Sequence, residues 1–254
     1  TFDKKIELKR LLSTIYLANS EPMQLPLWKK WLSYLAEIHL ESTSSDHNPD
    51  LHLSLRKGRY QLSTANAIYS YGDLYSNFDR AFRRTDLSRL PGTEVLILGF
   101  GLGSIPCLLE QQRPGQYRYT GIEIDEAVLD LANRYTLPDL SAPLELICTD
   151  AAAFIFQTNA TFDLICMDVF IDDEVPSVFE STAFLEALRD TLSPSGLLLY
   201  NRLAAKKSDI RRTQNFFQNA FLPIFSEGVA IDVGHNWMLL NHPHLLQKPH
   251  LTIS

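Results

Sequence analysis

Three closely spaced glycines could form the floor of a nucleotide site. Gly99, Gly101 and Gly103 directly follow the apolar run at 95–98. Glycine permits a tight turn and a close approach of the backbone to a ligand, and a helix behind such a turn presents unpaired amides. We therefore predict a strand, a glycine turn and a helix that cradle a nucleotide-like ligand, with a purely structural turn as the alternative.

An acidic residue follows these glycines at the spacing expected for a ribose contact. Glu123 lies near the end of the next apolar run, beside Ile124 and about 20 residues after Gly103. A carboxylate has two acceptor oxygens, which suits the two hydroxyl groups of a ribose. We predict that Glu123 and Ile124 line the ligand site, with a solvated acid at a strand end as the alternative.

Two aspartates follow the next two predicted strands. Asp150 could accept a hydrogen bond from an adenine amino group, with the small Ala151 leaving room for the ring, although aspartate also begins helices well. Asp168 ends the fourth strand and could remove or orient the proton of a nucleophile, or serve as a ligand or structural contact. Because open α/β sheets bind ligands beyond the carboxyl ends of their strands, we expect all four elements to converge on one edge.

Seven predicted strands position these residues. The first five are near-continuous apolar runs, which are typical of a parallel sheet covered on both faces. Only residues 234–236 separate the last two strands, so that pair must be antiparallel. The sequence therefore predicts an α/β fold of the class I methyltransferase (Rossmann-like) type, a seven-stranded sheet with five parallel strands and a C-terminal antiparallel hairpin. The predicted strands are 94–99, 117–124, 144–149, 162–168, 196–201, 229–233 and 237–241, and helices include 125–134 and 182–192.

The N-terminal part combines predicted helices with a small hairpin. Apolar side chains three and four positions apart predict helices over residues 5–40 and 74–90. Alternating segments at 51–55 and 59–62, on either side of a turn at 57–58, predict a hairpin arm.

We divide the chain after residue 76. Residues 1–76 form the helical segment with its hairpin arm, and residues 77–254 form the Rossmann-like, ligand-binding domain. Trp28 and Trp31 give the first segment more apolar surface than it can bury alone. We expect this segment to dock on the chain's own core or to form a homodimer interface.

Charge and composition argue against several classes of partner. The 254 residues carry a net charge of −7, which disfavours a nucleic-acid or anionic-membrane partner because phosphate binding needs a basic surface. No apolar run reaches the roughly 18–20 residues that span a bilayer, and no leader is visible, so we expect a cytoplasmic protein without a membrane partner. The seven histidines show no metal-binding spacing, and the three cysteines lie in apolar stretches typical of reduced core thiols.

The chain resembles the spermidine synthase family of class I S-adenosylmethionine-dependent transferases over about residues 50–240. The similar segments are the second-strand signature at 119–129 (YTGIEIDEAVL), the strand with the family's catalytic aspartate at 162–168 (FDLICMD) and the glycine-x-x-glutamine hairpin at 58–63 (GRYQLS). The resemblance implies that Asp168 is catalytic and that Gln61 contacts the methionine part of the cofactor. It further implies that the cofactor is S-adenosylmethionine or its decarboxylated form, with a small-molecule acceptor. Without the resemblance, Gln61 would be expected to be an exposed polar strand residue.

Several residues depart from the family's pattern, and these departures bear on the acceptor. Where the family has an aspartate in the glycine turn, this chain has Leu102. The family's polyamine-binding acids correspond to Asn66 and Ala67, and its Asp-x-x-Asp pattern ends here at Ile171, with acids only at 172–173. A buried ammonium group needs carboxylate partners, so these replacements argue against a polyamine acceptor. We therefore expect a methyltransferase that acts on an unknown small molecule.

Three other functions stay open. Aminopropyl transfer from decarboxylated S-adenosylmethionine is compatible with the loss of the turn aspartate. A non-catalytic adenosyl-binding module would explain both Leu102 and the interrupted acidic pattern. An NAD-dependent oxidoreductase could use the same turn and Glu123, although the spacing G-x-G-x-G places Ser104 where a third glycine is expected.

Aromatic residues near the predicted site could shape an acceptor pocket. Tyr69, Tyr71 and Tyr75 follow the hairpin and could line this pocket with amphipathic rings, or pack in the core. Phe170 follows Asp168 closely and could exclude water from the reacting groups.

Overall fold

The structure, a computed structural model, describes residues 15–16, 25–64, 68–70, 72, 75–170 and 175–247. The strands are β1 (Ile15–Tyr16), β2 (Ile38–Thr43), β3 (Leu51–Arg56), β4 (Arg59–Ser63), β5 (Ile68–Ser70), β6 (Glu94–Leu98), β7 (Arg118–Glu123), β8 (Leu144–Cys148), β9 (Phe162–Met167), β10 (Leu192–Leu203), β11 (Val229–Asp232) and β12 (Asn236–Leu240). The helices are α1 (Leu27–Leu32), α2 (Ser76–Phe82), α3 (Ser104–Gln112), α4 (Glu126–Tyr135), α5 (Ala151–Gln157), α6 (Thr182–Asp190), α7 (Lys207–Phe216) and α8 (Leu222–Ile224). None of the helices in these ranges is long and apolar enough to cross a bilayer.

The large sheet confirms the predicted arrangement of strands. Its order is β1-β8-β7-β6-β9-β10-β12-β11, in which β8, β7, β6, β9 and β10 are parallel and the last two strands form an antiparallel hairpin. An additional edge strand, β1, pairs antiparallel with β8, and the prediction of a helix at Ile15 and Tyr16 is therefore wrong. The open edge of β8 offers unpaired backbone groups, and pairing with them overrides the local helical periodicity.

Both faces of the large sheet are buried, which explains the apolar runs in its strands. Along β6, Val95 and Ile97 pack into one apolar cluster with side chains of α3 and α4. Leu96 and Leu98 pack into a second cluster with α5, α6 and α7. Successive strand residues thus point into different cores, as expected for a parallel sheet covered by helices on both sides.

A smaller sheet, in the order β2-β3-β4-β5, is antiparallel throughout. The predicted hairpin is present as β3 and β4. Its turn residues Lys57 and Gly58 have φ angles of 52° and 74°, which suit a two-residue turn of type I′.

The helical prediction for residues 5–40 is correct only over α1 within the described part of the chain. Residues 38–40 belong to β2 instead, because Ile38 and Leu40 alternate with the exposed His39 and this strand pairs with β3. The α1 helix buries none of its residues, and Trp28 and Trp31 are exposed. Docking of these tryptophans on the chain's own core is not found in the described ranges, and the homodimer stays a prediction.

The helix predicted over 74–90 is shorter in the structure. It ends at Phe82, and the Thr85 hydroxyl donates to the carbonyl oxygens of the preceding turn. A separate 3₁₀ turn, Leu87–Arg89, begins after Asp86, whose carboxylate accepts from the backbone N–H of this turn. Such side-chain hydrogen bonds compete with helix continuation.

An ion-pair cluster anchors the smaller sheet to α4. Glu41 on β2 accepts hydrogen bonds from both terminal nitrogens of Arg134, at 2.7 and 3.0 Å, and from the Tyr135 hydroxyl at 2.9 Å. Arg134 also pairs with Asp130 at 2.8 Å. The hydrogen bonds from Arg134 hold the pKa of Glu41 below its ordinary value.

We expect Glu41→Ala to lower the free energy of unfolding at pH 7 by about 1–2 kcal/mol, because it removes a two-pronged ion pair and an acceptor for Tyr135. The matched variant Asp130→Ala removes the more exposed partner of the same arginine and should cost less than about 0.5 kcal/mol. Since folding lowers the pKa of Glu41, its contribution should disappear as the pH falls below the ordinary glutamate value of 4.5. Urea unfolding at pH 7 and pH 3 measures both effects, and equal losses from the two variants at pH 7 would contradict the anchoring role.

Candidate active site

The predicted glycine turn connects β6 to α3 in a backbone conformation that favours glycine. Gly99, Gly101 and Gly103 have φ angles of 84°, 55° and 81°. A Cβ atom on Gly99 would overlap the backbone carbonyl oxygen of Asp168 and lie 2.9 Å from its carbonyl carbon. Leu102, which replaces an aspartate of the related pattern, is buried in the apolar cluster and offers the turn no polar side chain.

The Glu123 carboxylate binds the glycine turn directly. It accepts hydrogen bonds from the backbone N–H of Gly101 at 2.9 Å, of Ile124 at 3.0 Å and of Asp125 at 3.2 Å. Burial raises the pKa of Glu123, and these amide hydrogen bonds oppose the increase. The structure thus brings Glu123 and the turn together, with Ile124 exposed beside them; contact of these residues with a ribose stays a prediction.

Asp125 makes structural contacts beside the predicted site that the sequence did not predict. Its carboxylate accepts from the Ser45 hydroxyl at 2.5 Å, from the Asn48 side-chain amide at 2.7 Å and from the backbone N–H of Ala127 at 3.0 Å. These contacts hold the loop between β2 and β3 beside the end of β7, two residues beyond Glu123. An aspartate at the first position of a predicted helix was the available signal, but its partners lie far away in the sequence.

Asp150 and Ala151 lie at the start of α5. The Asp150 carboxylate accepts from the backbone N–H of Ala153 at 2.7 Å, so the helix-capping alternative is present in the structure. Ala151 is buried against the second apolar cluster. A contact between Asp150 and an adenine amino group stays a prediction.

The half-buried Asp168 is the centre of a hydrogen-bond network at the carboxyl end of β9. Its Oδ1 accepts from the Tyr75 hydroxyl at 3.2 Å and from Asn201 Nδ2 at 2.9 Å. Asn201 Oδ1 in turn accepts from Asn236 Nδ2 at 3.0 Å. Burial raises the pKa of Asp168 to about 6, and the hydrogen bonds from Asn201 and Tyr75 oppose that increase. The carboxyl group is therefore mostly ionised at pH 7, and its pKa is close enough to neutral pH for it to exchange a proton with a substrate.

Sequence reasoning missed Asn201 and Asn236, and it left Tyr75 between the pocket and the core. The available signal was weak: Asn201 follows an apolar run in β10 and precedes Arg202, and Asn236 is the first residue of the otherwise apolar β12. Phe170 is half-buried. Several residues named from the sequence lie outside the described residues: Asn66, Ala67, Tyr71 and 171–173, and also the side chain of Tyr69.

Gln61 is buried on β4, contrary to its expectation as an exposed strand residue. The residue is only 4% exposed, and its side-chain Nε2 donates a hydrogen bond to Glu37 Oε1 at 3.4 Å. The Oε1 atom of Gln61 is buried without a hydrogen-bond partner, which leaves an acceptor for a ligand group. The described contacts do not join Gln61 to the glycine turn or to Asp168, so its cofactor role stays a prediction.

The described part of the chain contains no candidate metal site. These ranges contain no group of three or more His, Cys, Asp and Glu side chains that could hold a metal ion. Cys166 is buried, and burial raises the pKa of its thiol well above the ordinary value, so it stays protonated at neutral pH.

The sequence is similar to proteins of one family of transferases. The family model described as "Spermine/spermidine synthase domain" matches residues 87–229, which is more than half of the chain. A relative described as a probable polyamine aminopropyl transferase, from Bifidobacterium longum, is 33% identical over 107 residues. This match covers 42% of the chain and 23% of the relative, so the chain spans about a quarter of that protein's length.

Solved structures support the same fold. A probable spermidine synthase from Corynebacterium glutamicum superposes with a TM-score of 0.63 at 19% identity, over 80% of this chain and 78% of that chain. Human methyltransferase-like protein 13, solved in complex with SAH, superposes with a TM-score of 0.53 at 18% identity, over 70% and 83% of the two chains. The α/β architecture is therefore that of class I methyltransferase-like proteins and spermidine synthases.

Proposed function

The chain belongs to the spermine/spermidine synthase domain family, and we propose that it transfers a methyl group from S-adenosylmethionine to a small-molecule nucleophile. The observation that carries this proposal is the environment of Asp168. It is a half-buried carboxylate whose described hydrogen-bond partners, Tyr75 and Asn201, are both neutral. Such a site can orient an uncharged or singly charged nucleophile, and its described residues include no second carboxylate of the kind that a buried diamine would need.

The described residues fit an adenosyl-sulfonium cofactor. A glycine bend with positive φ angles can present its backbone amides to a ligand, and the buried Oε1 of Gln61 is an acceptor without a partner. When bound, the cofactor would supply an electrophilic methyl carbon attached to a sulfonium sulfur that can leave with the electron pair. The residues proposed to hold the cofactor are Gly99, Gly101, Gly103, Glu123, Ile124, Asp150, Ala151 and Gln61.

Asp168 is the proposed catalytic residue. Because its pKa of about 6 lies below neutral pH, the carboxylate can accept a hydrogen bond from the nucleophile and take up the proton that the nucleophile loses. The remaining task of the site is alignment of the nucleophile behind the transferred carbon.

Aminopropyl transfer from decarboxylated S-adenosylmethionine is the second candidate. The similarity to the Bifidobacterium longum protein, which is described as a probable polyamine aminopropyl transferase, favours it. The residues at the positions of the family's polyamine-binding acids, Asn66 and Ala67, count against it.

Ligand binding and product analysis separate these functions. We expect S-adenosylmethionine or S-adenosylhomocysteine at 100 times its dissociation constant to stabilise the full chain by about 2.7 kcal/mol in a thermal-shift titration, and NAD to have no effect. With mixtures of small-molecule acceptors, label should move from the methyl group of S-adenosylmethionine to an acceptor. Transfer of label from decarboxylated S-adenosylmethionine to putrescine would instead establish the second candidate. Absence of any shift with all adenosyl ligands would reject both reactions and the adenosyl-binding module, and a shift with NAD alone would favour an oxidoreductase.

A further inference from the structure

The Asp168 carboxylate is held on one side by two donors that come from different parts of the fold. Tyr75 precedes α2, whereas Asn201 lies on β10, next to the strand that Asp168 follows. Both donate to the same atom, Oδ1, at 3.2 and 2.9 Å. In the described part of the chain, the side-chain hydrogen bonds of Asp168 all end on this oxygen.

The orientation of the Asn201 amide is itself fixed. Asn236, on the antiparallel strand β12, donates its Nδ2 to Asn201 Oδ1 at 3.0 Å. Asn201 is 1% exposed and Asn236 is 6% exposed, so water cannot easily replace either contact. The carbonyl side of Asn201 is therefore occupied, and its NH₂ group must face Asp168.

From this geometry we infer that Tyr75 and Asn201 are positioning residues, which hold Oδ1 of Asp168 so that Oδ2 faces the acceptor nucleophile. This inference rests on the proposed function, because it assigns the direction in which the catalytic carboxylate acts. It also gives the C-terminal hairpin a role in the site: Asn236 orients Asn201, which orients Asp168. Neither tyrosine nor asparagine carries charge, so the carboxylate is positioned without a cation that would hold its proton affinity low.

The two donors should also set the acidity of Asp168. The titratable groups that interact with this carboxylate in the described ranges are Tyr75 and Cys166, and burial raises the pKa of both, so both are neutral near pH 7. Hydrogen bonds to the ionised form stabilise it. Removal of either donor should therefore raise the pKa of Asp168 and leave less of the carboxylate ionised at neutral pH.

The test is a carboxyl-carbon NMR titration of the full chain labelled with ¹³C-aspartate, in which the Asp168 signal is identified by its loss in Asp168→Asn. Tyr75→Phe keeps the ring, which stacks on Phe78 at 6.3 Å, and removes only the hydroxyl. Asn201→Leu removes the second donor at similar volume. We expect each variant to move the titration midpoint of Asp168 upward by about 0.5–1 pH unit.

Tyr119→Phe is the matched control. It also removes a buried hydroxyl that donates to a carboxylate, Glu110, at 3.0 Å, but lies on β7 away from Asp168. The Asp168 midpoint should be unchanged in this variant. An unchanged midpoint in folded Tyr75→Phe would overturn the inference, and that variant decides the matter alone if Asn201→Leu does not fold.

The titration does not depend on turnover, so it can support or overturn this inference whether or not the proposed methyl transfer is observed. Once an acceptor is identified, the acid limb of the pH profile of kcat should move to higher pH by the same amount in both variants. KM should change by less than about twofold, because neither residue is proposed to bind the substrate. If KM rises and the acid limb of the kcat profile does not shift, Tyr75 and Asn201 contribute to binding and their positioning role is rejected.

Discussion

Asp168→Asn is expected to lower kcat by about 10²- to 10⁴-fold, while the affinity for S-adenosylmethionine changes far less. The donors on Oδ1 explain the size of this effect. Tyr75 and Asn201 would bond the carbonyl oxygen of the new amide, so its NH₂ group would occupy the position of Oδ2. An amide there donates where the nucleophile needs an acceptor, and it cannot take up a proton.

The same variant should gain stability at neutral pH. Burial raises the pKa of Asp168 from 3.8 to about 6, so ionisation is less favourable in the folded than in the unfolded chain. The wild-type chain should therefore lose stability as the pH rises from about 4 to 6, and the asparagine variant should avoid this loss, by up to about 3 kcal/mol at pH 7. Denaturant unfolding at pH 4 and pH 7 measures the difference.

Asp163→Asn is the control for Asp168→Asn. Asp163 lies on the same strand, at the opposite end, and accepts from the backbone N–H of Glu94 at 3.0 Å and from the Ser193 hydroxyl at 2.6 Å. Its substitution should cost stability without changing kcat. Equal turnover in Asp168→Asn and wild type would remove Asp168 from the mechanism.

The large sheet could be predicted from the sequence because its strands are buried on both faces. Runs such as Val95 to Leu98 have no polar alternation, and their spacing leaves room for crossover helices. The smaller sheet was only partly accessible. Its hairpin has a clear alternation and a turn at Lys57, whereas β2 follows a segment with helical spacing and is defined by its pairing with β3.

The candidate site was predictable only where topology places a residue. Glu123 and Asp168 follow parallel strands, so the fold alone brings them to one edge. The partners of Asp168 could not be predicted in this way, because Asn201 and Asn236 are 35 positions apart and meet only through the antiparallel hairpin. An asparagine in a buried strand segment carries no local sign of whether it bonds a catalytic carboxylate or a structural group.

Gly99→Ala is expected to lower the free energy of unfolding by about 3 kcal/mol, which corresponds to roughly 6–12 °C in Tm. Two costs add. A non-glycine residue at φ 84° costs about 1 kcal/mol, and overlap with a packed neighbour costs about 1–3 kcal/mol more. The neighbour is the backbone carbonyl group of Asp168, which cannot rotate away as a side chain could.

Gly115→Ala separates these two costs. Gly115 also has a positive φ, of 66°, but an added Cβ would meet no atom within 4 Å. This variant should therefore lose only about 1 kcal/mol, or roughly 2–4 °C in Tm.

Relief of the overlap in Gly99→Ala requires the glycine turn and the end of β9 to move apart, which shifts Asp168 relative to the proposed cofactor site. Turnover should consequently fall in Gly99→Ala even at temperatures where the chain is folded, and remain at the wild-type level in Gly115→Ala. Similar losses of stability in the two variants would mean that the turn does not press against β9, and that the close approach of Gly99 to Asp168 is not what positions the carboxylate.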